Sequence, residues 1–186
     1  VDLLLHLIEL HASSAAAIES LFGALKNVTF PTPVSVKLVA RLDFLTMATR
    51  LLERHASHVG AAHYIATCLH NLLYDGNQAS VDAMVEAGAI PAALSAMDLN
   101  CDEDTAPKSA MTLLTTIINR SEHGQVVTAD IIACEGVQLV ARVVAAHADQ
   151  ERFAKPAASL LMEMVINASA EDAQRMLRFD VVPLLV

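Results

Sequence analysis

The stretch VEAGAIPAAL, Val85 to Leu94, is apolar enough to be buried, yet it carries Gly88 and Pro91 within four residues. Glycine suits the end of one helix and proline the first turn of the next, so the stretch reads as a corner between two helices. A second copy follows further on. Gly136 opens GVQLVARVVA as Gly88 opens GAIPAALSAM, and each is preceded by a short amphipathic segment, SVDAMVEA and TADIIACE. Met84 and Val85 in the first are matched by Ile132 and Ala133 in the second.

Four other segments share a shape: GALKNVT, CLHNLLY, TIINRSE and MVINASA. Their asparagines, Asn27, Asn71, Asn119 and Asn167, are 44, 48 and 48 residues apart, a period that signals a helical repeat. Nine positions before each stand Ile18, Ala62, Ala110 and Ala158; six before, Leu21, Ile65, Leu113 and Leu161. Five before are Phe22, Ala66, Leu114 and Met162, and two before are Leu25, Leu69, Ile117 and Val165. All sixteen are apolar, at the i, i+3, i+4, i+7 positions of a helix stripe, and are expected in the core. The asparagine falls roughly opposite that stripe, beside Gly23, Thr67, Thr115 and Glu163 one turn earlier and Ser20, Tyr64, Thr112 and Leu160 two turns earlier. Helix starts are marked by Asp149 at the head of the last long helix, Pro107 in the first turn of the third, and Ser169 with Asp172 as a capping box.

Each unit thus reads as a short helix, a sharp corner, a medium helix, a loop and a long helix ending at asparagine. The 186 residues divide into a partial unit at 1–30, units at about 31–75, 76–121 and 122–169, and a partial unit at 170–186. Three helices per unit, AGAIP at the corner and an asparagine closing the long helix resemble armadillo repeats. The resemblance implies an all-α, right-handed solenoid. Ala40 and Arg41 stand where the second unit would carry its corner glycine, as do Asp180 and Val181 in RFDVVP, which keeps a HEAT-like hybrid open.

In armadillo proteins that bind extended peptides, the long-helix asparagine lines the concave groove and bonds the peptide backbone. An amide suits this because it donates and accepts at once. The resemblance implies such a ladder from Asn27, Asn71, Asn119 and Asn167, with Tyr64, Thr67, His70, Thr115 and Glu163 setting preference. The competing reading is that the asparagines bond neighbouring loops or cap helix ends. Nuclear-import adaptors of this family carry tryptophan one turn before the asparagine; Gly23, Thr67, Thr115 and Glu163 stand there, which argues against basic localisation peptides.

The formal charge of −9 and the absence of a lysine or arginine stripe argue against nucleic acid and suggest a neutral or basic protein segment as the partner. Cys68, Cys101 and Cys134 lie far apart and form no CxxC, which suits buried thiols in a reducing, intracellular compartment, the cytoplasm first and the nucleus as the alternative. Apolar stretches are interrupted by charge, as at Arg142, so no window reaches a membrane span. The opening segment lacks a basic start and carries Asp2 and Glu9, and the end, VVPLLV, stops inside an apolar pattern; both read as the interior of a longer protein.

Other motifs weigh toward structure. NVT, NRS and NAS are sequons whose hydroxyls more simply start the next helix. His55 and His58 could share a face, but nothing completes a zinc spacing, and the calcium-like run from Asp98 has Glu103 where glycine is needed and Ser109 where glutamate is needed. No nucleophile or phosphate-loop motif is present, so neither enzyme activity nor a cofactor or metal is expected. The expected function is a protein-interaction scaffold that holds a partner segment along the groove. The alternative is a structural subunit of a large assembly, which low charge and a mean hydropathy of +0.45 favour.

Overall fold

The computed structural model describes residues 2–29, 33–74 and 76–178, and these form helices with no strand among them. α1 (Asp2–Leu10) and α2 (Ala15–Val28) come first. Three triplets follow: α3 (Pro33–Val39), α4 (Leu42–Arg54) and α5 (Val59–Tyr74); α6 (Gln78–Glu86), α7 (Ala89–Leu99) and α8 (Ala106–Arg120); α9 (Gly124–Ala133), α10 (Gly136–Ala146) and α11 (Glu151–Asn167). The last described helix is α12 (Ala170–Leu177).

Helices of like rank stack on one another. α2 packs on α5, α5 on α8 and α8 on α11, while α4 packs on α7 and α7 on α10. Between the two rows lies the core, where Ile18, Phe22, Leu25, Ile65, Leu69, Leu113, Leu114 and Ile117 are fully buried. Each such side chain contributes roughly 1.5–3 kcal/mol on removal from water. The apolar stripe read from the asparagine spacing is therefore the core of α2, α5 and α8, with Leu21 only half-buried.

In α11 the stripe departs from expectation. Ala158, Met162 and Val165 are exposed, and the buried set is Phe153, Ala157, Leu160, Leu161 and Met164. The corresponding positions on α8, Leu114 and Ile117, are buried in a helix on which α9 and α11 also pack, whereas α12 is the only described helix after α11.

The quoted corner joins α6 to α7 as expected. Gly88 adopts a left-handed φ of +92°, which any side chain would strain, and Pro91 falls in the first turn of α7. The second corner corrects the sequence register by one residue. Its left-handed position is Glu135, with φ of 60°, and Gly136 is already the first residue of α10. Gly136 is needed for room instead: a Cβ there would stand 2.5 Å from Ile131 Cγ2 and 2.8 Å from the Ile131 carbonyl oxygen. At the α3–α4 junction no left-handed residue is used, and Arg41 precedes α4 with φ −96°.

Helix starts follow the sequence in part. Ser169 caps α12, accepting from the Asp172 amide at 3.1 Å and donating to its carboxylate at 2.6 Å. Pro107 lies in the first turn of α8. Gln150, and not Asp149, precedes α11, because the chain is still turning through Asp149. The departure noted at Asp180 and Val181 lies outside the described residues.

Candidate partner groove on the long helices

Because each long helix buries one stripe, its opposite side is free to carry polar groups, and the stacked row makes that side continuous. Hydrogen bonds stitch neighbouring helices along it. His63 Nδ1 of α5 lies 2.7 Å from Ser109 Oγ of α8, and Thr67 Oγ1 reaches the same hydroxyl at 3.3 Å. His70 Nδ1 lies 2.7 Å from Thr116 Oγ1. Thr116 gives its own proton to the Thr112 carbonyl at 2.9 Å, so His70 is the donor of that pair.

A cavity of about 540 Å³ opens across α5, α8 and α11, with His70, Lys108, Thr112, Thr115, Asn119 and Lys155 among its lining residues. A smaller one of about 220 Å³ shares His70, Lys108 and Thr112 and adds Thr67 and Ser109. Burial holds both His63 and His70 below the ordinary histidine range, and the charges of Lys26 and Lys108 push His63 down further. Lys26 Nζ sits 4.8 Å from the centre of the Tyr64 ring and Lys108 Nζ 5.2 Å from that of Phe153.

The nine residues expected to bind a partner do not act as one set. His70, Thr115 and Asn119 meet at the larger cavity and Thr67 lines the smaller one. Tyr64 fills the space beside Gly23, where an added Cβ would lie 3.5 Å from its ring. With its amide nitrogen facing Glu163, Asn119 donates to that carboxylate at 2.6 Å, so these two restrain each other. Asn167 donates to its own helix at the Glu163 carbonyl, 2.9 Å, and its Oδ1 would stand 2.6 Å from a Cβ on Gly124 of α9. Asn27 is exposed and Asn71 half-buried. The four asparagines occupy one place in the helices but different surroundings.

A ladder that the sequence reading missed lies at the far end of the middle helices. His55, just past α4, donates to the Ala12 carbonyl at 2.8 Å; Asn100, just past α7, to Ala56 at 2.6 Å; His147, just past α10, to Cys101 at 2.9 Å. All three side chains are buried; His55 ties the first triplet to the turn between α1 and α2, and Asn100 and His147 each tie a triplet to the one before it. The visible signal was a polar residue recurring 45 and 47 positions apart.

Other motifs are accounted for by their contacts. Asp98 pairs with Arg142, Asp104 with Arg152, and Asn100 turns inward, so the calcium-like run is spent on inter-helix bonds. His58 faces the Glu19 carboxylate at 3.6 Å and His55 is held by Ala12, and among the described residues no three of His, Cys, Asp and Glu come together around a common point. Of the three sequon hydroxyls only Ser169 starts a helix; Thr29 closes α2 through the Lys26 carbonyl, and Ser121 follows α8 and accepts from His123. Cys68 is fully buried, which pushes its thiol up to about 12, Cys101 is half-buried and Cys134 is exposed. Among the described residues no helix is long and apolar enough to cross a membrane.

No family model, no characterised protein and no solved structure matches the chain.

Proposed function

We propose that the chain is an armadillo-type, right-handed α-solenoid that serves as a protein-interaction scaffold, receiving an extended partner segment along the outward faces of α2, α5, α8 and α11. The carrying observation is the cavity that spans three successive long helices and is lined by side chains able to donate and accept. Stacking of like-ranked helices, the left-handed glycine corner and the inter-triplet ladder support the repeat reading. The role is binding without chemistry: His63 and His70 are engaged with hydroxyls that hold helices together, and Cys68 is sealed in the core.

The test is affinity capture with a paired variant, Thr115→Arg with Asn119→Ala, whose helicity and melting are matched to the parent. Loss of specific partners from the folded variant supports the groove. Retention of the same stoichiometric set places binding on other faces. That outcome would favour the second reading, a subunit of a larger assembly, which rests on the exposure of Met162, Val165, Ile166 and Leu177 at 54, 60, 68 and 70%.

A further inference from the structure

The charges of the molecule are segregated. The four long helices carry Lys26, Lys108, Arg120, Arg152 and Lys155 against Glu19, Glu151 and Glu163, an excess of cations in a chain whose formal charge is −9. Eighteen of the 21 acidic residues fall outside these helices.

On the long helices Arg152, at the start of α11, pairs with Asp104. Away from the groove, Arg41, Arg142 and Arg175 sit on carboxylates. Among the described residues, no carboxylate lies within ion-pair reach of Lys26, Lys108 or Lys155. The charges of Lys26 and Lys108 both reach His63, against the opposing charge of Glu19, and Lys108 shares the larger cavity with Lys155. Tyr64 and Phe153 hold the first two ammonium groups by their ring faces, which restricts them without neutralising them. Unneutralised cations beside a hydroxyl, here that of Ser159, make a site for oxyanions. The carboxylates of this face are engaged, Glu163 bonded by Asn119 and Glu19 beside His58.

We infer that the groove takes an acidic peptide, seating a carboxylate side chain of the partner between Lys108 and Lys155 with Ser159 as hydroxyl donor, and a second acidic residue toward Lys26. This rests on the groove reading and reverses the preference for a neutral or basic segment drawn from total charge. A local field acts on a docked side chain more strongly than a distant net charge does, since exposed charges beyond about 10 Å are screened. The remaining acidic surface excludes polyanions at large, which favours a short acidic segment over a nucleic acid.

The test is selection of random nonapeptides on three versions of the 186-residue chain: the parent, a Lys108→Gln, Lys155→Gln pair, and a control pair of equal charge change on other faces, Lys37→Gln, Arg50→Gln. The expected pool from the parent and the control is enriched in aspartate and glutamate. The groove pair should lose that bias and bind the selected peptides roughly three- to thirty-fold more weakly, the range for two exposed to half-buried ion pairs. A pool of neutral or basic peptides that still competes with groove binding would overturn the acidic preference and leave the groove standing. Absence of any enrichment sensitive to Thr115→Arg would overturn both. Equal weakening in the groove pair and the control pair, or tighter binding of a labelled thymidine oligonucleotide than of any selected peptide, also contradicts the proposal.

Discussion

Replacing Asn100 by alanine tests the inter-triplet ladder. Its amide is 3% exposed and donates to the Ala56 carbonyl at 2.6 Å, across the triplet boundary, and to the Ala96 carbonyl at 2.7 Å within its own helix. Each bond contributes about 0.5–1.5 kcal/mol net, and a carbonyl left buried without a partner costs about 1–3 kcal/mol. Asn100→Ala should therefore cost about 3 kcal/mol and lower Tm by roughly 6–12 °C, taking 2–4 °C per kcal/mol for a chain of this size. Asn100→Asp keeps the shape but faces a carboxylate with two carbonyls, so at pH 7 it should cost at least as much as alanine, and part of the loss should return near pH 4 as the acid gains a proton to donate. Asn77→Ala is the comparison: Asn77 caps α6 locally, accepting from the Ser80 amide at 3.1 Å, and should cost only about 1 kcal/mol. Urea unfolding followed by far-ultraviolet circular dichroism gives the free energies. A cost below 1 kcal/mol for Asn100→Ala, or Asn100→Asp more stable than Asn100→Ala at pH 7, would refute the reasoning.

His63 and His70 are held neutral in the folded chain, so the unfolded chain takes up protons first as pH falls through about 6.5; stability is full above that value and declines below it. Urea midpoints at pH 7.5 and 5.0 should differ less in a His63→Gln, His70→Gln pair than in the parent, and an unchanged difference would show that other groups govern the acid limb. With an aromatic disulfide reagent, Cys134 should react at once in the native protein and Cys68 only on unfolding, since the latter is fully buried with its thiol pushed to about 12; fast modification of all three thiols would contradict the core assignment. At the second corner, Glu135→Gly should stabilise by about 1 kcal/mol by relieving a left-handed residue, whereas Gly136→Ala should cost roughly 1–3 kcal/mol against Ile131. Thermal melts with the signs exchanged would restore the register read from sequence.

Much of the architecture was legible because it depends on periodic burial. The stripe before the asparagine follows from helix geometry and is buried in α2, α5 and α8 apart from Leu21, and the Gly88–Pro91 corner joins α6 to α7 as expected. Where one residue type serves two purposes, pattern matching misled. Gly88 supplies a left-handed backbone and Gly136 a gap for Ile131, so aligning the glycines shifted the second corner by one. The exposed stripe of α11 could not be foreseen from its own residues, since burial belongs to what packs on them. The candidate site was legible as a face but not as a set of contacts. His70, Thr115 and Asn119 were named because the resemblance to armadillo repeats implies them, while Lys108 and Lys155 were passed over because total charge concealed their segregation onto the long helices.

The central claim is that a partner segment lies along the long helices, and site-specific photocrosslinking tests it most directly. The full chain would carry p-benzoylphenylalanine at Thr115, which lines the larger cavity, or at Ala145, an exposed position on α10 of the other row, and be illuminated with the selected peptide. The account predicts a crosslinked peptide from Thr115 and none from Ala145. Crosslinking from Ala145 alone would contradict it.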